Sequence, residues 1–274
     1  MTDIHSTAII AKGAELDTGV KVGPYCVIGE NVKIGRNTIV HSHVVIEGRT
    51  TLGEENEIFP FACLGTSPQD LKFSNEPSTL VIGDKNKIRE SVTIQPGTKD
   101  GHMTTKVGSR NLFMANCHVG HDCVVGNDNV FANSVALAGH VGIGDFVILG
   151  GMAGIHQFSR VGTLAFVGAG AMVSLDVPPY CIAQGDRAVI RGLNLIGLRR
   201  AGISGENLVA VKKTYKHFFS TIGHLKEKLE SFPDELKSSP NAKLVSDFIQ
   251  SSKRGLISSS RHSASSKNSD DSAE

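Results

Sequence analysis

Tryptophan is absent from this chain and only 5% of its residues are aromatic, whereas glycine numbers 30. A core with so few large rings must be filled by small and β-branched side chains at close spacing, which excludes a wide, aromatic-rich interior. Long apolar runs are missing too. No stretch of about 18 residues avoids polar side chains, and the opening MTDIHSTAII has neither the basic nor the apolar region of a signal peptide. Membrane spanning and secretion are unsupported, and a cytoplasmic location is expected. Charge of one sign is not in excess: the formal net charge is +1, so nothing draws the whole chain to nucleic acid or to an anionic membrane. The five cysteines are an odd number, which favours free thiols over a disulfide framework.

What is present is a period of six. Counted from Ile4, every first position is aliphatic or Phe and nearly every fifth is small or Asn, Pro68 being the exception. Units such as VGPYCV, IGENVK and IGRNTI hold this register through LGTSPQ. It resumes at Ile82 and again at Val107, and it ends with VSLDVP. This pattern is the signature of hexapeptide repeats wound into a parallel β-helix. Three units close one coil, so residues eighteen apart stack at about 4.8 Å, and nearly nine coils make a prism about 40 Å long. Second-position glycines such as Gly23, Gly35 and Gly126 are expected at corners that need positive φ. Two interruptions, 70–81 and about 99–106, are expected to be loops on a binding face.

The expected fold class is all-β with an α-helical C-terminus: a β-helix over 1–190, a small helical domain over 191–257, and a Ser-rich disordered tail over 258–274. Leu208, Val211, Tyr215, Phe218, Ile222, Leu225 and Leu229, spaced three or four apart behind Ser204, predict one amphipathic helix. A shorter one is predicted over 242–249.

The densest chemistry lies in NCHVGHDCVVG, Asn116 to Gly126. Cys117 and Cys123 fall on inward fifth positions and read as core. His118, His121, His140 and His156 occupy positions six, three, four and two of their units. None of these is inward, so the four rings are predicted to project outward near coil corners and to form a column on one outer face. The eighteen-residue stacking places Gly139 over His121 and His140 over Asp122. Such a column fits a solvated surface, a metal site or a general base. A neutral imidazole accepts a hydroxyl proton near physiological pH, and Asp122 is placed to hold the ring of His121.

IRESVTI, HVGHDCVVG, ANSVALAGHV, GIHQF, DVPPYCIAQG and GLNLIGLRRAG, with QDLK at Gln69 to Lys72, resemble in order and spacing the UDP-N-acetylglucosamine O-acyltransferases that begin lipid A biosynthesis. The likeness runs from residue 4 to about 256. It implies a left-handed β-helix, a homotrimer with active sites in the clefts between prisms, and no cofactor or metal. The implied reaction moves a 3-hydroxyacyl chain from acyl carrier protein to the sugar 3-hydroxyl of UDP-N-acetylglucosamine.

The resemblance assigns His121 as base, Asp122 as its partner and Gly139 N–H as oxyanion donor. Asp70 and Lys72 would hold the sugar, and His118, His140, His156 and Gln157 would line the cleft. Asn194 and Arg200 would address the nucleotide and its phosphates, and Ala169 would end the acyl groove. Two positions depart from the family pattern: Ile196, where many relatives carry Glu, and Ala201, where they carry Arg or another polar residue. The departures admit a sugar with a 3-amino group as an alternative acceptor. A zinc enzyme like the hexapeptide-repeat carbonic anhydrases is a further alternative, against which the histidine spacing argues. From Arg199 to Glu230, seven Lys or Arg stand against three Glu, a basic patch suited to an acidic carrier protein.

Overall fold

The computed structural model describes residues 1–221 and 223–259. Ile222 and the tail from residue 260 onward lie outside the described residues. The hexads fold as two-residue strands made of a sixth and a following first position, as in Val27–Ile28 and Ile39–Val40. These strands stack in parallel on three faces. The first face runs from Asp3–Ile4 to Phe166–Val167 and is completed by Cys181–Gln184 and Val189–Leu193. The second runs from Ile9–Ile10 to Met172–Val173, and the third from Glu15–Leu16 to Arg160–Val161. Pairing joins residues eighteen apart within uninterrupted coils, for example Val27 with Val45 and His118 with Ala136.

First and fifth positions point inward, so the core is a single narrow column of Val, Ile, Leu, Cys and Ala. Its largest members, Phe113 and Phe131, stack with ring centroids 4.5 Å apart. One inward column is polar: Asn56, Asn86, Asn111 and Asn129 are all buried. The Asn86 side-chain oxygen takes both the N–H and the Nδ2 of Asn111, at 2.9 and 3.0 Å, while its own Nδ2 donates to Asn56 Oδ1 and Gly108 O. Asn86→Ala would leave the buried N–H of Asn111 without an acceptor, at about 1–3 kcal/mol per orphaned group. The expected loss is about 2–3 kcal/mol, read as a lower urea midpoint at unchanged slope.

The structure corrects several sequence expectations. Positive φ is not carried by the second-position glycines but by fourth-position residues that are not glycine, among them Tyr25, His43, Asp122 and His140. The glycines answer a different need, close approach of coils: a Cβ on Gly35 would lie 2.6 Å from Gly53 C, and one on Gly23 would lie 2.9 Å from His41 C. The interruptions are also shorter than the register suggests. Thr79–Ile82 and Thr104–Val107 are four-residue strands paired with each other, and the first of them also pairs with Arg49–Leu52. Each resumes the coil half a unit before the next aliphatic first position, which a search for whole hexads overlooks.

Helix α1 (Leu195–Arg200) precedes α2 (Gly205–Phe219), α3 (Leu225–Glu230), α4 (Asp234–Lys237) and α5 (Pro240–Gln250). The single long helix expected from Ser204 onward is therefore two. Gly223, at φ +126, leaves helical geometry, and Lys228 of α3 donates to Phe218 O at 2.9 Å and Thr221 O at 2.7 Å, closing the end of α2. Lys228 is thus drawn inside, and burial pushes its pKa down, so it adds nothing to a basic docking surface. Ser204 takes the N-cap position of α2 but makes no side-chain capping bond.

Candidate active site

The chemistry-bearing histidines meet at the corner between the second and third faces rather than along one face. His118 and His156 open onto the second face, beside a cavity of about 830 Å³ that is lined mainly by Ala136, Leu137, Met172, Leu175 and Leu256. His140 opens onto the third face, beside Phe158, Lys253 and Arg254. His121 sits at the corner itself. The column expected on a single face is therefore split, because the sixth and second positions of His118 and His156 belong to the second-face strands or directly follow them, whereas the fourth position of His140 lies past the turn.

Asp122 is an outward fourth-position residue, yet its carboxylate is fully buried. The loop between Ile94 and Thr104 folds over it. Thr98 donates its N–H at 3.0 Å and its hydroxyl at 2.7 Å, and the His102 N–H donates at 2.7 Å. His121 Nδ1 completes the set at 2.9 Å. Burial pushes the Asp122 pKa up, but the hydrogen bonds from His121, Thr98 and His102 outweigh it and hold the group below the ordinary aspartate value. Asp122 stays ionised and accepts from His121, which places the His121 proton on Nδ1 and the lone pair on Nε2.

That Nε2 makes no hydrogen bond among the described residues. Asp70, carried in by the first loop, brings Oδ2 to within 3.9 Å of it. The ring lies against Gly139 so closely that a Cβ there would be 2.5 Å from both Cε1 and Nε2. Among the described residues no acceptor takes the Gly139 N–H, whereas the neighbouring His140 N–H is bound to His121 O. A base and an unpaired backbone donor thus share one corner, which is the pairing that acyl transfer requires.

The remaining residues divide. His118 is held by Thr93 Oγ1 at 2.7 Å, and His140 stacks on Phe158 at 4.4 Å. Burial, as the largest cause, lowers the pKa of both rings, so they stand uncharged at neutral pH. Lys72 is exposed and lies 3.7 Å from Asp100. Gln157 is exposed beside His156. Ala169 is exposed at a turn between the first and second faces.

Asn194 and Arg200 are not at the histidine corner. They line a separate cavity of about 470 Å³ on the first face, with Phe146, Ile148, Phe166, Ile196 and Ala201. In a triangular prism this is the face opposite that corner. Asn194 is also committed within the chain: Nδ2 donates to Leu164 O and Oδ1 caps α1 at Gly197 N–H. Thr98, His102, Phe158 and Arg254 carry no signal in the sequence. His102 and Arg254 lie outside the hexad register; Thr98 is an ordinary fifth-position residue and Phe158 an ordinary fourth-position one, and neither position signals the contact it makes with Asp122 or His140.

Residues 176–257 match a family model described as UDP N-acetylglucosamine O-acyltransferase, domain 2, and residues 13–48 match the bacterial transferase hexapeptide model. A curated relative from Myxococcus xanthus, acyl-[acyl-carrier-protein]–UDP-N-acetylglucosamine O-acyltransferase, is 51% identical over 256 residues, spanning 93% of this chain and 99% of the relative.

The chain belongs to this O-acyltransferase family.

The chain folds as the expected left-handed parallel β-helix, and solved members of the family superpose on it. The UDP-N-acetylglucosamine O-acyltransferase of Moraxella catarrhalis gives a TM-score of 0.91 at 43% identity, covering 93% of this chain and 99% of that one. The Francisella novicida enzyme gives 0.92 at 38% identity, covering 95% and 96%. Family membership displaces the zinc hydratase alternative. His121, Asp122 and His140 do bring potential ligand atoms within 4.8 Å of one another, but the Asp122 oxygens are already occupied by donors from Thr98, His102 and His121.

Proposed function

We propose that the protein transfers a 3-hydroxyacyl chain from acyl carrier protein to the 3-hydroxyl of UDP-N-acetylglucosamine, the first step of lipid A biosynthesis. The observation that carries this reading is the free His121 Nε2 beside the unpaired Gly139 N–H, with Nδ1 anchored on an ionised Asp122. His121 Nε2 takes the proton of the sugar hydroxyl as the oxygen attacks the thioester carbonyl. Asp122 stabilises the imidazolium, and Gly139 N–H meets the oxyanion. Collapse breaks the C–S bond, and the proton passes from His121 to the departing carrier thiolate. The chemistry balances without a covalent enzyme intermediate.

A site shared between copies of the chain follows from the opposed faces. A nucleotide sugar cannot reach His121 at one corner and Arg200 on the opposite face of the same prism. In a homotrimer, the first face of one copy packs beside the histidine corner of the next, and Arg200 supplies a guanidinium to the phosphates there. The apolar cavity on the second face, with Ala169 at a neighbouring turn, suits the acyl chain. Arg199, Lys212, Lys216 and Lys226 remain on the helical end for an acidic carrier. No helix among the described residues is long and apolar enough to cross a membrane, and a cytoplasmic location fits soluble substrates.

The test is mass spectrometry of products from purified protein, UDP-N-acetylglucosamine and a series of 3-hydroxyacyl carrier proteins. An alkali-labile ester on the 3-oxygen is expected. Turnover only with a 3-amino sugar, giving an alkali-stable amide, would reassign the acceptor. No product with either would overturn the proposal. Because the Asp122 oxygens are filled, dialysis against EDTA is expected to leave the rate unchanged, and a loss restored by zinc would contradict the assignment.

A further inference from the structure

The last described segment, residues 251–259, is laced to the prism. Asp176 N–H donates to Gly255 O at 2.9 Å, Ile257 N–H to Asp176 O at 3.0 Å and Ile190 N–H to Ser258 O at 2.8 Å. The buried Asp176 carboxylate takes the Ser252 hydroxyl at 2.8 Å and Arg160 Nε at 3.0 Å, and Arg160 reaches on to Ser251 Oγ and Phe248 O. This anchoring aims Arg254. Its Nε donates to Ser174 O at 2.7 Å, and its terminal nitrogen lies 2.9 Å from His156 Nδ1.

A guanidinium has donors only, so His156 can meet it only through a lone pair on Nδ1, which leaves the ring proton on Nε2. A competing contact exists: Gln157 O lies 3.1 Å from the same Nδ1 and would require a proton there. The two are mutually exclusive. The shorter, charge-assisted bond is the stronger. His121 has the opposite arrangement, since its Nδ1 faces a carboxylate rather than a cation.

We propose that Arg254 is a positioning residue that fixes His156 as a neutral imidazole protonated on Nε2. The two histidines then present complementary atoms to the cleft: His121 an acceptor, His156 a donor. His156 lines the apolar cavity that the acyl chain fills under the proposed function, where a reactant oxygen has few other partners. Only this use of the donor rests on that function. The tautomer itself does not.

Two-bond proton–nitrogen correlation spectra of the full chain carrying ¹⁵N-histidine test the proposal, with His156→Gln identifying the resonances. The wild-type protein is expected to show the Nε2–H form, and Arg254→Ala is expected to move the signals towards the average of exchanging tautomers. With it kcat should fall about tenfold, the loss of one oriented hydrogen bond, with little change in KM for the nucleotide sugar. An Nδ1–H tautomer in the wild type overturns the proposal even if the variant fails to fold. An unmoved tautomer in a folded Arg254→Ala overturns it too. A wild-type protein with the expected tautomer but no acyl transfer would sink the proposed function and leave this inference standing.

Discussion

His121→Ala is expected to lower kcat by about 10² to 10⁴, the usual contribution of a positioned general base. The fold should survive, because the ring packs at a corner outside the core column and its removal opens no interior cavity. Thermal unfolding within a few degrees of wild type, with transfer reduced to a trace, is the expected pair of results. The loss should not be recovered by raising pH across the neutral range, since among the described residues no other group within reach of the Nε2 position is both neutral and anchored. His140, the nearest imidazole at 5.0 Å between centroids, is stacked on Phe158 and faces the other side of the corner. A folded variant retaining more than about a tenth of wild-type activity would remove His121 from the role of base.

Gly139→Ala is the second large effect, and it separates position from chemistry. The added methyl would fall 2.5 Å from Cε1 and Nε2 of His121. The ring is the movable partner, so it is expected to swing away and stability to change little. A base displaced by about 1 Å loses about 10² in rate, and the methyl also crowds the N–H that receives the oxyanion. Activity should therefore drop by at least about 10² although every catalytic side chain is still present. A crystal structure of the variant with the His121 ring unmoved, or near-normal kcat, would show that the corner tolerates what its geometry forbids.

The prism is legible in the sequence because the hexad register is set by burial: one aliphatic and one small residue per six can only be satisfied by a coil of three short faces. The meeting of His121 with Gly139 is legible for the same reason, since the eighteen-residue spacing by itself stacks them, and Asp122 is the next residue along the chain. What the register does not convey is where each outward residue points at a corner. It puts four imidazoles on one face, whereas sixth and second positions open to one side of the corner and fourth positions to the other. Nor does it show that Asp122, formally outward, is sealed by Thr98 and His102, because Thr98 is an ordinary fifth position and His102 sits in an interruption that obeys no period. The helix break at Gly223 is hidden by an apolar spacing that continues across it into α3. The separation of Arg200 from His121 emerges only when the strands are assigned to faces, and it puts the candidate site residues at two separate places on the prism.

That separation is tested most directly by mixing subunits. His121→Ala and Arg200→Ala, each expected to be nearly inactive alone, would be combined in equal amounts under conditions that let subunits reassort, and the transfer rate measured. If the site lies between copies, the pairing of one intact histidine corner with one intact first face restores about a quarter of the sites. If His121 and Arg200 serve the same site within one copy, every site carries one of the two lesions and the mixture stays as inactive as its components, which would contradict a shared site.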